Sequence, residues 1–138
     1  MTTKLHVACT DEHTAVAVLL TAGQRHDSVG FAPLYTQAQR AGTLVRLTAD
    51  RAYDADAIRP QLASDAVESV IPARSNRVDP QPHSTVRYKL RHKVENWFRK
   101  LQDFRRLATR YEKLARCYLA LVHLASSLIL LRFFVNTP

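Results

Sequence analysis

Apolar and polar positions alternate from Lys4 to Thr10, with Leu5, Val7 and Cys9 on one face, the period of a half-buried strand. Thr10-Asp11-Glu12-His13 reads as a turn. Ala15 to Leu20 is continuously apolar and rich in Val and Leu, as a strand covered on both faces is. Residues 4–20 are therefore predicted as a β-hairpin, ended by the polar segment Thr21 to Asp27. Asp27 suits a helix N-cap. After it, Phe31, Leu34, Tyr35, Ala38 and Ala41 fall at helical spacing, and Gly42 stands where a glycine stops a helix. Leu44 to Thr48 reads as a strand that runs into Ala49-Asp50-Arg51-Ala52-Tyr53-Asp54. A short helix to about Ser64 follows, with Pro60 tolerable only near its first turns. Val67 to Ile71 reads as another strand, stopped by Pro72, and 73–87 as a polar loop.

From Tyr88 the period changes to that of a helix. Leu90, Val94, Trp97, Leu101, Phe104 and Ala108 recur with spacings of 4, 3, 4, 3 and 4, which predicts a helix over 88–108. A last helix is predicted over 111–133, charged at its start and almost wholly apolar from Tyr118 to Leu131, so burial on most sides is expected. Its uncharged run, Cys117 to Leu131, spans 15 residues and holds His123, Ser126 and Ser127; that is short for a membrane span. The element order is β-β-α-β-α-β-α-α, an α/β chain.

Composition narrows the class. With 138 residues, 46% apolar and 23% charged, the chain reads as one globular domain rather than a disordered or repeat protein. Cys9 and Cys117 lack metal-site spacing and suggest no disulfide framework, which fits a reducing, cytoplasmic compartment. Met1 to His6 lacks the apolar segment of a signal peptide. The formal charge of +8 is unevenly spread. Residues 1–69 carry six Lys/Arg against eight Asp/Glu, for −2, and 70–138 carry fourteen against four, for +10. A surplus held in one half points to a polyanionic partner, with nucleic acid ahead of an anionic membrane surface and a plain solubilising face as the bland alternative.

On a helical wheel, Tyr88, Arg91, Glu95, Arg99, Gln102 and Arg106 cluster opposite the apolar stripe. Glu95 is thus a carboxylate among arginines, one turn from Arg91. A surface ion pair of about 0.3–0.5 kcal/mol would also account for it. Asp50 lies just past the carboxyl end of a predicted strand, where α/β sheets place working groups, though an Asp capping the next helix looks the same in sequence. Asp54, nearer that helix, is the better cap candidate. A strand-end Asp and a helix-borne Glu in a basic chain suggest metal-dependent phosphodiester chemistry. Mg²⁺ takes carboxylate oxygens and keeps several waters. Two such ions about 3.5–4 Å apart can activate the attacking oxygen and stabilise the leaving one. Arginines alongside would meet DNA phosphates with salt-dependent affinity.

Several blocks resemble a known family. Leu47 to Asp54 is similar to the "ADKGYD" block of DDE-type insertion-sequence transposases. Thr2 to His6 resembles "TTKIH", Leu20 to Asp27 resembles "LTPGQxHD", and Val70-Ile71-Pro72 matches "VIP". Tyr88, Arg91 and Glu95 match the first three members of the Tyr-Arg-Glu-Lys signature, and Arg105 to Lys113 resembles "RRIATRYDK". The blocks run in order over nearly the whole chain. The resemblance implies a ribonuclease-H-like fold, a mixed sheet flanked by helices. It also implies Asp, Asp and Glu residues that bind two Mg²⁺ for hydrolysis and strand transfer at transposon ends. By position Asp50 is the second catalytic and metal-binding Asp, and Glu95 the catalytic and metal-binding Glu. Tyr88, Arg91, Arg99, Arg106 and Arg51 are the DNA-binding candidates. Trp97 and Phe98 go to the core; Tyr53 adjoins the site.

Three departures qualify the match. The signature Lys falls at Gln102, and the "KG" after the second Asp is Arg51-Ala52. The family's first catalytic Asp lies on the first, central strand, upstream of "TTKIH"; the chain as given starts at Met1, and Asp11 sits in the hairpin turn. The expectation is a fold lacking its first strand, with unpaired edges on the hairpin and the 44–48 strand. Such a chain is expected to be weakly folded and catalytically silent alone, and to depend on an upstream transposase segment as partner, beside double-stranded DNA and a homo-oligomeric copy. The alternative is a non-catalytic DNA-binding remnant or interfering fragment; a third is a basic interaction protein using the 111–133 helix. Six histidines show no zinc spacing, and His123 reads as a core residue. No Gly-x-Ser-x-Gly turn or phosphate-cradling glycine loop occurs, which disfavours serine hydrolysis and nucleotide hydrolysis.

Overall fold

The computed structural model describes residues 2–104 and 114–137. Strands β1 (Thr3–Cys9) and β2 (Ala15–Ala22) form the hairpin, antiparallel, with Leu5 opposite Leu20 and a bulge at Ala8/Cys9. Asp11 closes its turn: one carboxylate oxygen accepts the amides of His13 and Thr14 at 2.7 and 2.8 Å. A 3-10 turn, Asp27–Gly30, leads into α1 (Phe31–Ala41), which stops at Gly42. Asp27 does not cap α1. Its carboxylate instead takes Lys4 Nζ at 2.7 Å, tying the turn back to β1.

The second sheet is also two-stranded. Strand β3 (Arg46–Thr48) pairs in parallel with β4 (Glu68–Val70), and α2 (Ile58–Ser64) makes the crossover that parallel pairing requires. Pro60 stands in the first turn of α2, where its missing N–H costs nothing. The helix ends without glycine: Ala66 takes a left-handed φ of 56°, while Val67 N bonds Leu62 O at 2.8 Å and Ala66 N bonds Ala63 O at 3.1 Å. That is a Schellman end, with alanine where glycine is usual. After the loop, α3 (Thr85–Tyr88), capped by Ser84, runs through a 3-10 turn (Lys89–Arg91) into α4 (His92–Gln102). Helix α5 spans Ala115–Asn136.

The architecture is mixed α/β and the elements come in the expected order as far as β4; beyond it α3 starts inside the predicted 73–87 loop, and the predicted 88–108 helix is divided, with α4 ending at Gln102. Among the described residues the two sheets are separate: β1 pairs only with β2 and β3 only with β4. One core joins Leu5, Val7 and Val18 of the hairpin to Trp97 and Leu101 of α4 and Val122, Ala125 and Ile129 of α5. A second joins Phe31 and Tyr35 of α1 to Ile58, Leu62, Val67 and Ile71. Trp97 is fully buried and Phe98 packs beside it, the core placement their apolar spacing predicts.

Helix α5 departs from the sequence reading. It buries one stripe only, and Leu124, Leu128, Leu131 and Phe134 are exposed. Apolarity on every side gives no signal for which face meets the core, and among the described residues one hairpin face and one helix cover a single stripe. His123 is exposed rather than in the core. The helix is longer than its uncharged run because it takes in Arg116 and Arg132, and by length and composition it could cross a membrane. The predicted positions Arg106, Ala108 and 111–113 lie outside the described residues.

Candidate active site

Asp50 follows β3 after one more ladder bond, Ala49 N to Val70 O at 3.2 Å. Its backbone is extended, and its Oδ1 accepts the amide of Ala52 at 3.0 Å, capping a 3-10 turn over Arg51–Tyr53. Capping uses one carboxylate oxygen only. Oδ2 faces Arg91, whose Nη2 lies 3.4 Å away. Arg91 is the last residue before α4, and Glu95 sits in the first turn of that helix, where the dipole favours a carboxylate. Arg91 Nη1 donates to Glu95 Oε1 at 2.6 Å. One guanidinium therefore bridges Asp50 and Glu95, residues 45 positions apart in sequence. The side chains of Asp50, Arg91 and Glu95 are 36%, 30% and 50% exposed, so the cluster opens to solvent.

Tyr53, which adjoins this turn, is anchored by its hydroxyl to His6 Nδ1 at 2.8 Å, and His6 Nε2 meets Thr21 Oγ1 at 2.8 Å. Burial lowers the His6 pKa, with Lys4 adding to the effect and Asp27 opposing it. Burial also raises that of the Tyr53 hydroxyl, helped by the charges of Asp27 and Asp50. Gly30 lies against the His6 ring; a Cβ there would stand 3.1 Å from ring atoms. This neutral His–Tyr–Thr chain fastens the Asp50 turn to the hairpin.

A second anchor holds the turn from the other side, and it was not legible as such in the sequence. Asp54 does not cap α2. It is completely buried, and its oxygens accept from Arg59 Nε, Arg77 Nε and the Arg74 amide, each at 2.8 Å. Arg74 also donates to the carbonyls of Arg51 and Ala52 at 3.3 and 3.0 Å, and Arg59 to that of Ile71 at 2.7 Å. Burial alone would raise the Asp54 pKa; its guanidinium and amide partners outweigh that and hold it down to about 2. The only hint available in sequence was an acidic run, Asp54 and Asp56, followed by Arg59, Arg74 and Arg77.

Of the remaining predicted residues, Tyr88 stands on α3, Arg99 on α4 and Arg51 in the turn after β3. Tyr88 is half-buried with its ring edge-on to His83, 5.6 Å between centroids. Arg99 is exposed and reaches Asn96 Oδ1 at 3.4 Å. Arg51 is exposed beside Asp50. Arg106 lies outside the described residues. Among the described residues no group of three His, Cys, Asp or Glu could hold a metal ion. Asp50 and Glu95 are two carboxylates around one cation. That donor set suits a single hard divalent ion that retains waters, and a pair of ions needs a further carboxylate.

The chain is thus a mixed α/β protein in which a carboxylate after a strand and a carboxylate on a helix share one guanidinium. Comparison with known families places it. Residues 1–130 match the family model described as the transposase DDE domain, and the chain belongs to that family. Over 137 residues it is 36% identical to a Brucella ovis protein named as a candidate transposase for insertion sequence element IS6501, covering 96% of this chain and 100% of that protein. No solved structure matches the chain. Membership makes the chain a transposase by family resemblance and its general process DNA transposition. Proteins of this family generally use divalent metal ions and are typically soluble and cytoplasmic.

Proposed function

We propose that this chain supplies most of a ribonuclease-H-like catalytic domain for Mg²⁺-dependent hydrolysis and strand transfer at transposon ends. The convergence of Asp50 and Glu95 on one guanidinium carries this reading, because it sets two carboxylates from distant elements around a site that favours a cation. Asp50 and Glu95 would hold Mg²⁺, which when bound activates an oxygen nucleophile and neutralises charge on the phosphate. Arg51, Arg91, Arg99 and Arg106 would meet the backbone of double-stranded DNA, with Tyr88 beside them, an affinity that weakens with salt.

The third carboxylate is proposed to arrive on a strand seated between the two sheets. Among the described residues, strands β1 and β3 each keep an edge without a ladder partner, and the 2.8 Å contact of His6 with Tyr53 brings those regions together. An upstream transposase segment, in the same polypeptide or another, is the proposed source, and the cytoplasm the proposed compartment.

The test supplies that segment in cis or in trans and measures Mg²⁺-dependent nicking of transposon-end DNA. Nicking is expected only with the segment present, and Asp50→Asn or Glu95→Gln should each lower it by at least about 10³-fold, the scale of losing a principal transition-state contact. Salt-sensitive DNA binding without nicking under any of these conditions would identify a binding remnant or interfering fragment instead.

A further inference from the structure

Arg91 occupies the place between the carboxylates that a divalent ion would otherwise claim. It makes a short contact with Glu95, 2.6 Å, and a long one with Asp50, 3.4 Å. Charge-assisted bonds usually span about 2.7–2.9 Å, so the Asp50 contact is weak. Asp50 Oδ1 is held by Ala52 N, whereas among the described residues Oδ2 has only this loose guanidinium contact. A guanidinium does not lose its proton near neutral pH, so Arg91 can free the carboxylates only by moving. At 30% exposure its side chain has solvent to move into. The +1 guanidinium and a divalent ion repel one another and would share the same oxygens, so the two states of the carboxylate pair exclude each other.

Resting on the reading of Asp50 and Glu95 as a metal pair, we propose that Arg91 couples DNA binding to metal binding. Without DNA it neutralises the two carboxylates and keeps divalent ions weakly bound. A DNA phosphate offers the guanidinium a bidentate partner. Arg91 then turns from the carboxylates to the phosphate, and Asp50 and Glu95 become free to take the ion. DNA thereby tightens metal binding and, by reciprocity, metal tightens DNA binding by the same factor. The arrangement leaves the site weakly charged with metal away from its substrate.

The test titrates the full 138-residue chain with Mn²⁺ and follows paramagnetic broadening of the amides of residues 49–52 and 94–96, with and without a short DNA duplex. For the unaltered chain the duplex should lower the Mn²⁺ concentration for half-broadening by about tenfold, within the usual range of couplings between sites. Arg91→Met should show the tighter Mn²⁺ binding without DNA, with a duplex effect below about twofold. Arg91→Gln serves as a second variant if the first perturbs the helix start. A duplex effect that is absent in the unaltered chain, or undiminished in both variants, overturns the coupling. So does Mn²⁺ binding that weakens in both. Asp50→Asn and Glu95→Gln in the Arg91→Met background separate this failure from that of the underlying site. If broadening survives both additions, the carboxylate pair is not the metal site. If both additions abolish it while Arg91→Met gave no gain, the coupling alone fails.

Discussion

Asp50 and Asp54 stand four positions apart in one loop, and both face arginine, yet the surroundings give them opposite characters. Asp54 has no exposed surface and three partners at 2.8 Å, from Arg59, Arg77 and the Arg74 amide. Asp50 is 36% exposed, spends one oxygen on a turn and shows the other to a guanidinium at 3.4 Å. A saturated, buried carboxylate has nothing left to offer a ligand and serves the fold. A half-open carboxylate with one loosely paired oxygen contributes little to the fold and can exchange partners. The first fixes the backbone on which the second is displayed, because Arg74 also ties down the carbonyls of Arg51 and Ala52.

The largest contrast is in stability. Asp54→Ala should cost about 3–5 kcal/mol, since it leaves guanidiniums without their buried counter-charge, whereas Asp50→Asn, which can still cap the turn, should stay within about 0.5 kcal/mol. Urea denaturation of the two variants gives the comparison, and equal losses would erase it. Removing one arginine from each cluster sharpens it. Arg77→Met should cost about 1.5–3 kcal/mol, the range for hydrogen bonds to charged groups. Arg91→Met should cost about 0.3–0.5 kcal/mol, that of an exposed helical ion pair.

Acid acts on the same difference. The pKa of Asp54 is about 2 in the folded chain against an ordinary 3.8, so the folded state favours its ionised form. Its contribution is complete above about pH 4 and is lost as pH falls toward 2. The Asp54→Asn chain should lack that part of the acid dependence, which melting temperatures between pH 5 and 2 will show. The smallest effect is at Glu95. Glu95→Gln should change stability by no more than about 0.5 kcal/mol while slightly raising DNA affinity at low salt, because it removes one negative charge beside the basic face. Filter binding at two salt concentrations measures it.

The hairpin, α1 and the Trp97 stripe were legible because their patterning reports which face is buried; β3 and β4 were read as strands, but their parallel pairing was not. Asp50 and Glu95 were legible as separate motif positions, and the shared guanidinium belongs to the fold, since it needs α4 to pass beside the end of β3. Asp54 was misread as a helix cap because proximity to α2 is visible in sequence, while the return of Arg74 and Arg77 from a later loop is not. Helix α5 was misread because a segment apolar on every side carries no moment to say which stripe is covered. The end of α2 near Ser64 was placed correctly although no glycine marks it, Ala66 taking the left-handed position where glycine is usual.

The proposed shared cation site is open to direct mapping. With Fe²⁺ in place of Mg²⁺, ascorbate and peroxide generate hydroxyl radicals that cut the backbone close to the bound ion. In the presence of a DNA duplex, cuts are expected near residue 50 and near residue 95 together, with both suppressed by excess Mg²⁺ and by either Asp50→Asn or Glu95→Gln. Cuts near only one of these positions, or near neither, would contradict a single ion held between them.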